Sequence, residues 1–128
     1  MQASDPDPTQ DAEGHKIDTG VSLDRNGSTA VLTTHGEFDA LTTPQLQTAI
    51  QQTFEKAPEA LVVDLTRVTF FGSAAIAALV EARQLAGEQT ALRLAVAPYL
   101  DRTLKLIGLE GVFELFTSVE EALAADDG

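Results

Sequence analysis

Apolar residues recur along this chain at two periods, and the switches between them mark out strands and helices in alternation. Ile17, Thr19, Val21 and Leu23 follow the two-residue period of a strand, which closes on the hairpin signal Arg25-Asn26-Gly27-Ser28. A second strand, residues 29–35, ends in Gly36-Glu37-Phe38-Asp39, and the two strands are expected to be antiparallel neighbours. Leu46, Ala49, Ile50 and Phe54 then repeat at helical spacing behind Thr42-Thr43-Pro44-Gln45, where a threonine cap precedes Pro44, read as the first helical position. That helix runs to about Lys56, and Pro58 forbids its continuation. Residues 60–65 form a nearly unbroken apolar run, as in a strand covered on both faces, with Asp64 as a candidate terminator. Residues 66–71 read as the lead into a second helix ending near Gly87. A strand at 92–96, a helix at 99–107 stopped by Gly108, a short strand at 112–116 and a terminal helix at 118–125 complete the pattern. Ser118 and Glu121 have the spacing of a capping box at the start of the last helix.

A hairpin followed by strand and helix in turn implies an α/β fold, because parallel neighbours must be joined by helical crossovers. The expectation is a single mixed sheet of about five strands with about four helices; these signals leave the strand order open. The 128 residues suit one domain. Residues 1–14 combine Asp, Pro, Gln, Thr and Gly with almost no large apolar side chain, which predicts a disordered acidic tail. The domain is assigned to 15–125, with a flexible C-terminus at 126–128.

Composition narrows the function. Eight basic residues stand against 20 acidic ones, a formal net charge of −12. Six of those charges lie in the two tails, at Asp5, Asp7, Asp11, Glu13, Asp126 and Asp127, and the rest stay with the domain. This balance opposes binding to nucleic acid or an anionic membrane, which require clustered Lys and Arg, and favours solubility or a partner with a basic surface. The absence of cysteine excludes a disulfide framework and a thiolate metal site. Apolar runs fall well short of the roughly 20 residues of a membrane span, and the N-terminus lacks an export pattern, so a cytoplasmic location is expected.

The chemistry converges on Ser73, which falls where the central apolar strand turns into the alanine-rich second helix. The first turn of a helix carries unpaired backbone N–H groups, so a serine there either caps them or accepts a phosphate that the helix end tolerates. No G-x-x-x-x-G-K-[ST] loop is present, and His15 and His35, the two histidines, belong to no metal-ligand cluster. A strand-to-helix serine also has the place of a hydrolase nucleophile in G-x-S-x-G. Here Phe71 and Ala75 occupy the glycine positions and His35 is the one plausible base, so an esterase is the weaker reading.

Three segments carry a family resemblance over residues 17–125. Gly36-Glu37-Phe38-Asp39 resembles the G-E-[LIF]-D element of STAS-domain anti-sigma factor antagonists, also called anti-anti-sigma factors. Val62-Val63-Asp64-Leu65 with Val68-Thr69-Phe70 is similar to their central strand, and Ile107-Gly108-Leu109-Glu110-Gly111-Val112-Phe113 to their late [LT]-G-L-x-x-x-[FIL] signature. In that family the strand ends in a motif close to D-S-[ST]-G-[LI], where this chain has Gly72, Ser73, Ala74, Ala75 and Ile76.

The resemblance implies a non-enzymatic regulator of sigma-factor-dependent transcription. It binds an anti-sigma factor that is also a serine kinase, is released when Ser73 is phosphorylated, and is reset by a phosphatase. The protein itself then needs no cofactor, since ATP and magnesium belong to the kinase. Asp39, Glu37, Thr42, Gly72, Ser73, Ala74 and Ile76 are the candidate partner contacts. For Asp39 a purely local role in the turn is equally open, and for Ile76 helical periodicity does not separate core from docking face. Gly72 lacks the family's carboxylate, and Ala74 its second hydroxyl. A STAS scaffold without phosphorylation and a small-ligand or nucleotide module using a helix N-terminus therefore stay open as alternatives.

Overall fold

The computed structural model describes residues 19–125; the expected tail at 1–14, His15, Ile17 and residues 126–128 lie outside the described residues. The elements are β1 (Gly20–Asn26), β2 (Thr29–Phe38), α1 (Thr43–Glu55), β3 (Ala60–Phe71), α2 (Ser73–Ala86), β4 (Ala91–Val96), α3 (Pro98–Leu106), β5 (Glu114–Phe116) and α4 (Val119–Ala124). They build one five-stranded sheet in the order β1-β2-β3-β4-β5. β1 and β2 are antiparallel and each later pair is parallel. The mixed sheet and the alternation agree with the sequence pattern, and the strand order follows the chain.

The hairpin is tight because Asn26 pairs with Thr29, leaving Gly27 and Ser28 as its two-residue loop. Gly27 has φ +65°, a conformation costly for a residue with a Cβ, so glycine occupies the first loop position. The second half of the Asn-Gly signal, not its first, carries the turn.

Leu32, Leu61, Val63 and Leu94 face one side of the sheet and pack with Leu46 and Ile50 of α1, Leu79 of α2, and Leu100 and Leu104 of α3 in a single cluster. Full burial of a leucine contributes roughly 2 kcal/mol, and Leu46, Leu79 and Leu104 are all completely buried. The opposite face buries Val62 and Ala95 with Ala122 of α4, which packs across β3, β4 and β5. Coverage on both faces explains the continuous apolar run at 60–65.

β3 is longer than its apolar run suggests. It continues to Phe71, so residues 66–71 are strand and not a connection, and Asp64 does not end it. The β3–β4 ladder stops at Leu65↔Val96, whereas pairing with β2 continues to Phe38↔Phe71. Along that extension β3 twice advances one residue further than β2, between Asp64 and Arg67 and again between Val68 and Phe70. These bulges stretch the spacing of core positions from the alternation of Leu61, Val63 and Leu65 to the wider steps that separate Leu65, Val68 and Phe71. The two-residue period disappears there, which is why the sequence pattern conceals the strand.

Candidate functional site

Gly36 lies in β2 at the second bulge with φ +95°, a conformation that selects glycine and accounts for the first residue of Gly36-Glu37-Phe38-Asp39. Gly36, Glu37 and Phe38 belong to β2 itself, so the motif begins inside the strand. Phe38 is fully buried and meets Phe71 edge to face, with ring centroids 6.2 Å apart. The Phe38 carbonyl accepts the Gly72 N–H at 2.9 Å. This bond ties the end of β2 to the start of α2 and brings the Asp39 loop next to Ser73.

In the loop between β2 and α1, Asp39 Oδ1 accepts the N–H groups of Leu41 at 2.9 Å and Thr42 at 3.0 Å. The Thr42 hydroxyl lies 3.0 Å from the same oxygen, accepts the Asp39 N–H at 2.9 Å and donates to the Glu37 carbonyl at 2.8 Å. The Thr42 N–H, and after it the Thr42 hydroxyl, hold the exposed Asp39 carboxyl below the ordinary carboxylate range. Asp39 therefore stays ionised, and its local role in the turn is realised. Thr42 is the N-cap residue of α1, but its side chain makes no capping bond because it is engaged with this loop. Pro44 is the second helical residue, after Thr43. Glu37 is exposed, and its backbone is clamped by Thr19, whose hydroxyl donates to the Glu37 carbonyl at 3.2 Å and accepts its N–H at 3.1 Å.

Gly72 is the N-cap of α2 and Ser73 the first helical residue. Ser73 is exposed, and its hydroxyl has no hydrogen-bond partner among the described residues. It is not a side-chain cap. Ala74 is half-buried, Ala75 is fully buried, and Ile76 packs against the core, so Ile76 offers a docking partner only its outer part. The segments that meet here, residues 36–42 and 69–76, contain the carboxylates of Glu37 and Asp39 and no Lys or Arg.

Two large apolar side chains that the sequence reading did not single out stand at the same end of the sheet. Leu41 is 88% exposed and Phe70 50% exposed. Phe70 was hidden by its placement in a supposed connection. The available signal was the adjacent pair Phe70-Phe71, since a strand that buries one of two neighbours presents the other.

The other chemical arrangements do not assemble. No hydrogen bond joins His35 to Ser73, and the His35 ring lies against Gly20, where an added Cβ would come within 2.7 Å of it. Among the described residues no group of His, Asp and Glu is placed to hold a metal ion. A cleft of about 570 Å³ at the carboxyl ends of β4 and β5 is lined by Thr66, Val96, Pro98 and Phe116. Its Lys105 pairs with Asp101 at 3.0 Å in an exposed ion pair along α3.

The family model for the STAS domain matches residues 21–122. The chain belongs to the STAS domain family. This STAS domain is 34% identical over 111 residues to the anti-sigma-F factor antagonist RsfB of Mycobacterium tuberculosis, with 86% of this chain and 90% of that protein covered. Among solved structures, an anti-sigma factor antagonist from Mycobacterium paratuberculosis superposes with a TM-score of 0.82 at 28% identity, covering 87% of this chain and 96% of that one. An anti-sigma-factor antagonist STAS domain protein from Planctomyces limnophilus shares the fold, with a TM-score of 0.73 at 21% identity over 84% of this chain and 98% of its own. The five-stranded mixed sheet with helical crossovers is thus the STAS fold. No helix among the described residues is long and apolar enough to cross a membrane.

Proposed function

We propose that this STAS domain is an anti-sigma factor antagonist. It binds an anti-sigma factor through the surface around Ser73, frees the sigma factor for transcription, and is switched off when that partner, acting as a serine kinase, phosphorylates Ser73. The observation that carries the reading is the exposed, unpartnered Ser73 hydroxyl at the first position of α2 in a chain 34% identical to an anti-sigma-F factor antagonist.

The mechanism follows from charge and solvation. Phosphorylation adds about 1.5 to 2 negative charges and three strong acceptor oxygens. The first-turn N–H groups of α2 take up part of that charge, so the domain remains folded. Residues 36–42 and 69–76 supply no cation, while Ala74, Ile76, Leu41 and Phe70 make the surroundings apolar. A partner docked there strips water from the site, and an uncompensated phosphate would oppose that by several kcal/mol, on the order of a hundredfold or more in affinity. Asp39 and Glu37 add to the negative charge around the phosphate, and Thr42 positions Asp39. The protein supplies no catalytic group; ATP and magnesium act at the kinase, and a phosphatase resets the switch.

The test is to incubate the protein with its cognate kinase and ATP, map the phosphate, and compare binding of wild type, Ser73→Ala and Ser73→Glu to the anti-sigma factor. Tight binding by wild type and Ser73→Ala with loss in Ser73→Glu is expected; equal affinity across the three would remove the switch. Gly72, Ala74 and Ala75 depart from the family's phosphorylation motif and favour a second reading, a STAS domain that binds constitutively. Partner binding with no phosphate on Ser73 distinguishes it.

A further inference from the structure

Phe70 occupies a position that the fold has altered in order to expose it. In β3 the core positions run Leu61, Val63 and Leu65, then Val68, and strict alternation after Val68 would bury residue 70. The extra residue between Val68 and Phe70 gives that place to Phe71, which is 7% exposed, and turns Phe70 out to 50% exposure. The outward ring lies over Gly72: a Cβ at residue 72 would sit 3.0 Å from Phe70 Cε2 and 3.3 Å from Cζ. Gly72 has φ −83°, so glycine is not needed there for backbone conformation; a side chain at residue 72 would instead require the Phe70 ring to give way by a few tenths of an ångström.

We infer that Phe70 is a specificity-determining anchor that inserts into an apolar socket on the anti-sigma factor, and that Gly72 keeps the ring in its docking position. The inference rests on the function proposed above. A phosphate on Ser73 can oppose docking through desolvation only if the contact around it is dry, and Phe70, three residues before Ser73, is the aromatic side chain that, with Leu41, can make it so. A half-exposed aromatic ring offers a large contact area with few rotatable bonds, the usual composition of an interface hot spot. The ring also takes the space that a side chain at residue 72 would fill. A partner recognising this chain therefore reads an aromatic face where a carboxylate would otherwise stand.

The experiment measures binding of unphosphorylated wild type, Phe70→Ala, Gly72→Ala and the double variant to each purified anti-sigma factor of the source organism. Leu85→Ala serves as a control, because Leu85 is exposed near the far end of α2. Phe70→Ala is expected to weaken binding by about tenfold or more with little change in melting temperature, and Leu85→Ala to leave it unaltered. Gly72→Ala displaces the ring and weakens binding as well, and the double variant binds no more weakly than Phe70→Ala alone. Wild-type affinity in Phe70→Ala, or a Gly72→Ala loss that persists undiminished when Phe70 is absent, overturns the inference while leaving the proposed function intact. Failure of wild type to bind any of the anti-sigma factors overturns both.

Discussion

The backbone N–H of Gly72 reaches the carbonyl of Phe38 at 2.9 Å, and this bond carries the join between β2 and β3 one residue past their last pair, Phe38↔Phe71, to the start of α2. The loop with the ionised carboxylate and the helix start with the free hydroxyl thus keep a fixed relation.

Ser73→Ala should leave stability unchanged within about 0.5 kcal/mol, since the hydroxyl is exposed and has no partner among the described residues. Chemical denaturation of the two proteins checks this. A large destabilisation would assign the serine to the fold rather than to a switch.

Thr42→Val removes the hydroxyl that serves the Glu37 carbonyl, the Asp39 N–H and the Asp39 carboxylate. Because Thr42 is half-buried, the expected cost is about 1 kcal/mol. Broadened amide resonances confined to residues 37–43 would show the loop loosening, while α1, whose cap does not use that hydroxyl, stays intact.

Acid should weaken the fold in a defined window. Thr42 holds the Asp39 carboxyl below its ordinary value of 3.8. The Thr117 hydroxyl and, less strongly, the Thr117 N–H hold Glu121 below 4.5. Both groups bind protons more weakly when folded than when unfolded. Their contribution is complete above these ordinary values and is lost as pH falls through them toward the lowered folded values. Melting temperature followed across that range should drop, and in Thr42→Val and Thr117→Val it should drop less steeply, since each releases its carboxyl toward the ordinary range.

Ser118→Ala should cost about 1 kcal/mol, because Ser118 Oγ accepts the Glu121 N–H at 3.1 Å and caps α4. Thermal unfolding with α4-specific amide exchange measures it.

Much of this architecture is written in the periodicity. The helix pattern from Leu46 to Phe54, the strands at 60–65 and 92–96 and the Ser118 cap all rest on local chemistry, and they fall in α1, β3, β4 and at the N-cap of α4. Ser73 was legible for the same reason, as a hydroxyl at a change of period. Glu121 was legible only in part: its carboxylate bonds Thr117, one residue before the cap, at 3.1 Å to the N–H and 2.7 Å to the hydroxyl. The missed features all depend on distant pairing. The extension of β3 to Phe71, the outward turn of Phe70 and the engagement of Thr42 away from its helix arise from how β3 registers on β2, and a single strand's sequence does not encode its partner's register.

Tyr99→Phe probes that extension. Tyr99 donates its hydroxyl to the Val68 carbonyl at 2.7 Å, beyond the point where β4 stops pairing with β3. Loss of the bond should cost about 1 kcal/mol and speed amide exchange in residues 67–71 more than in residues 60–65.

Because β3 outruns β4, its last stretch pairs with β2 alone among the strands and is braced from the other side by Tyr99, with Ser73 just past its end. For the proposed switch this means that a kinase cleft could close around the overhang without prying strands apart, so one projection would serve both as the docking contact and as the handle for its modification.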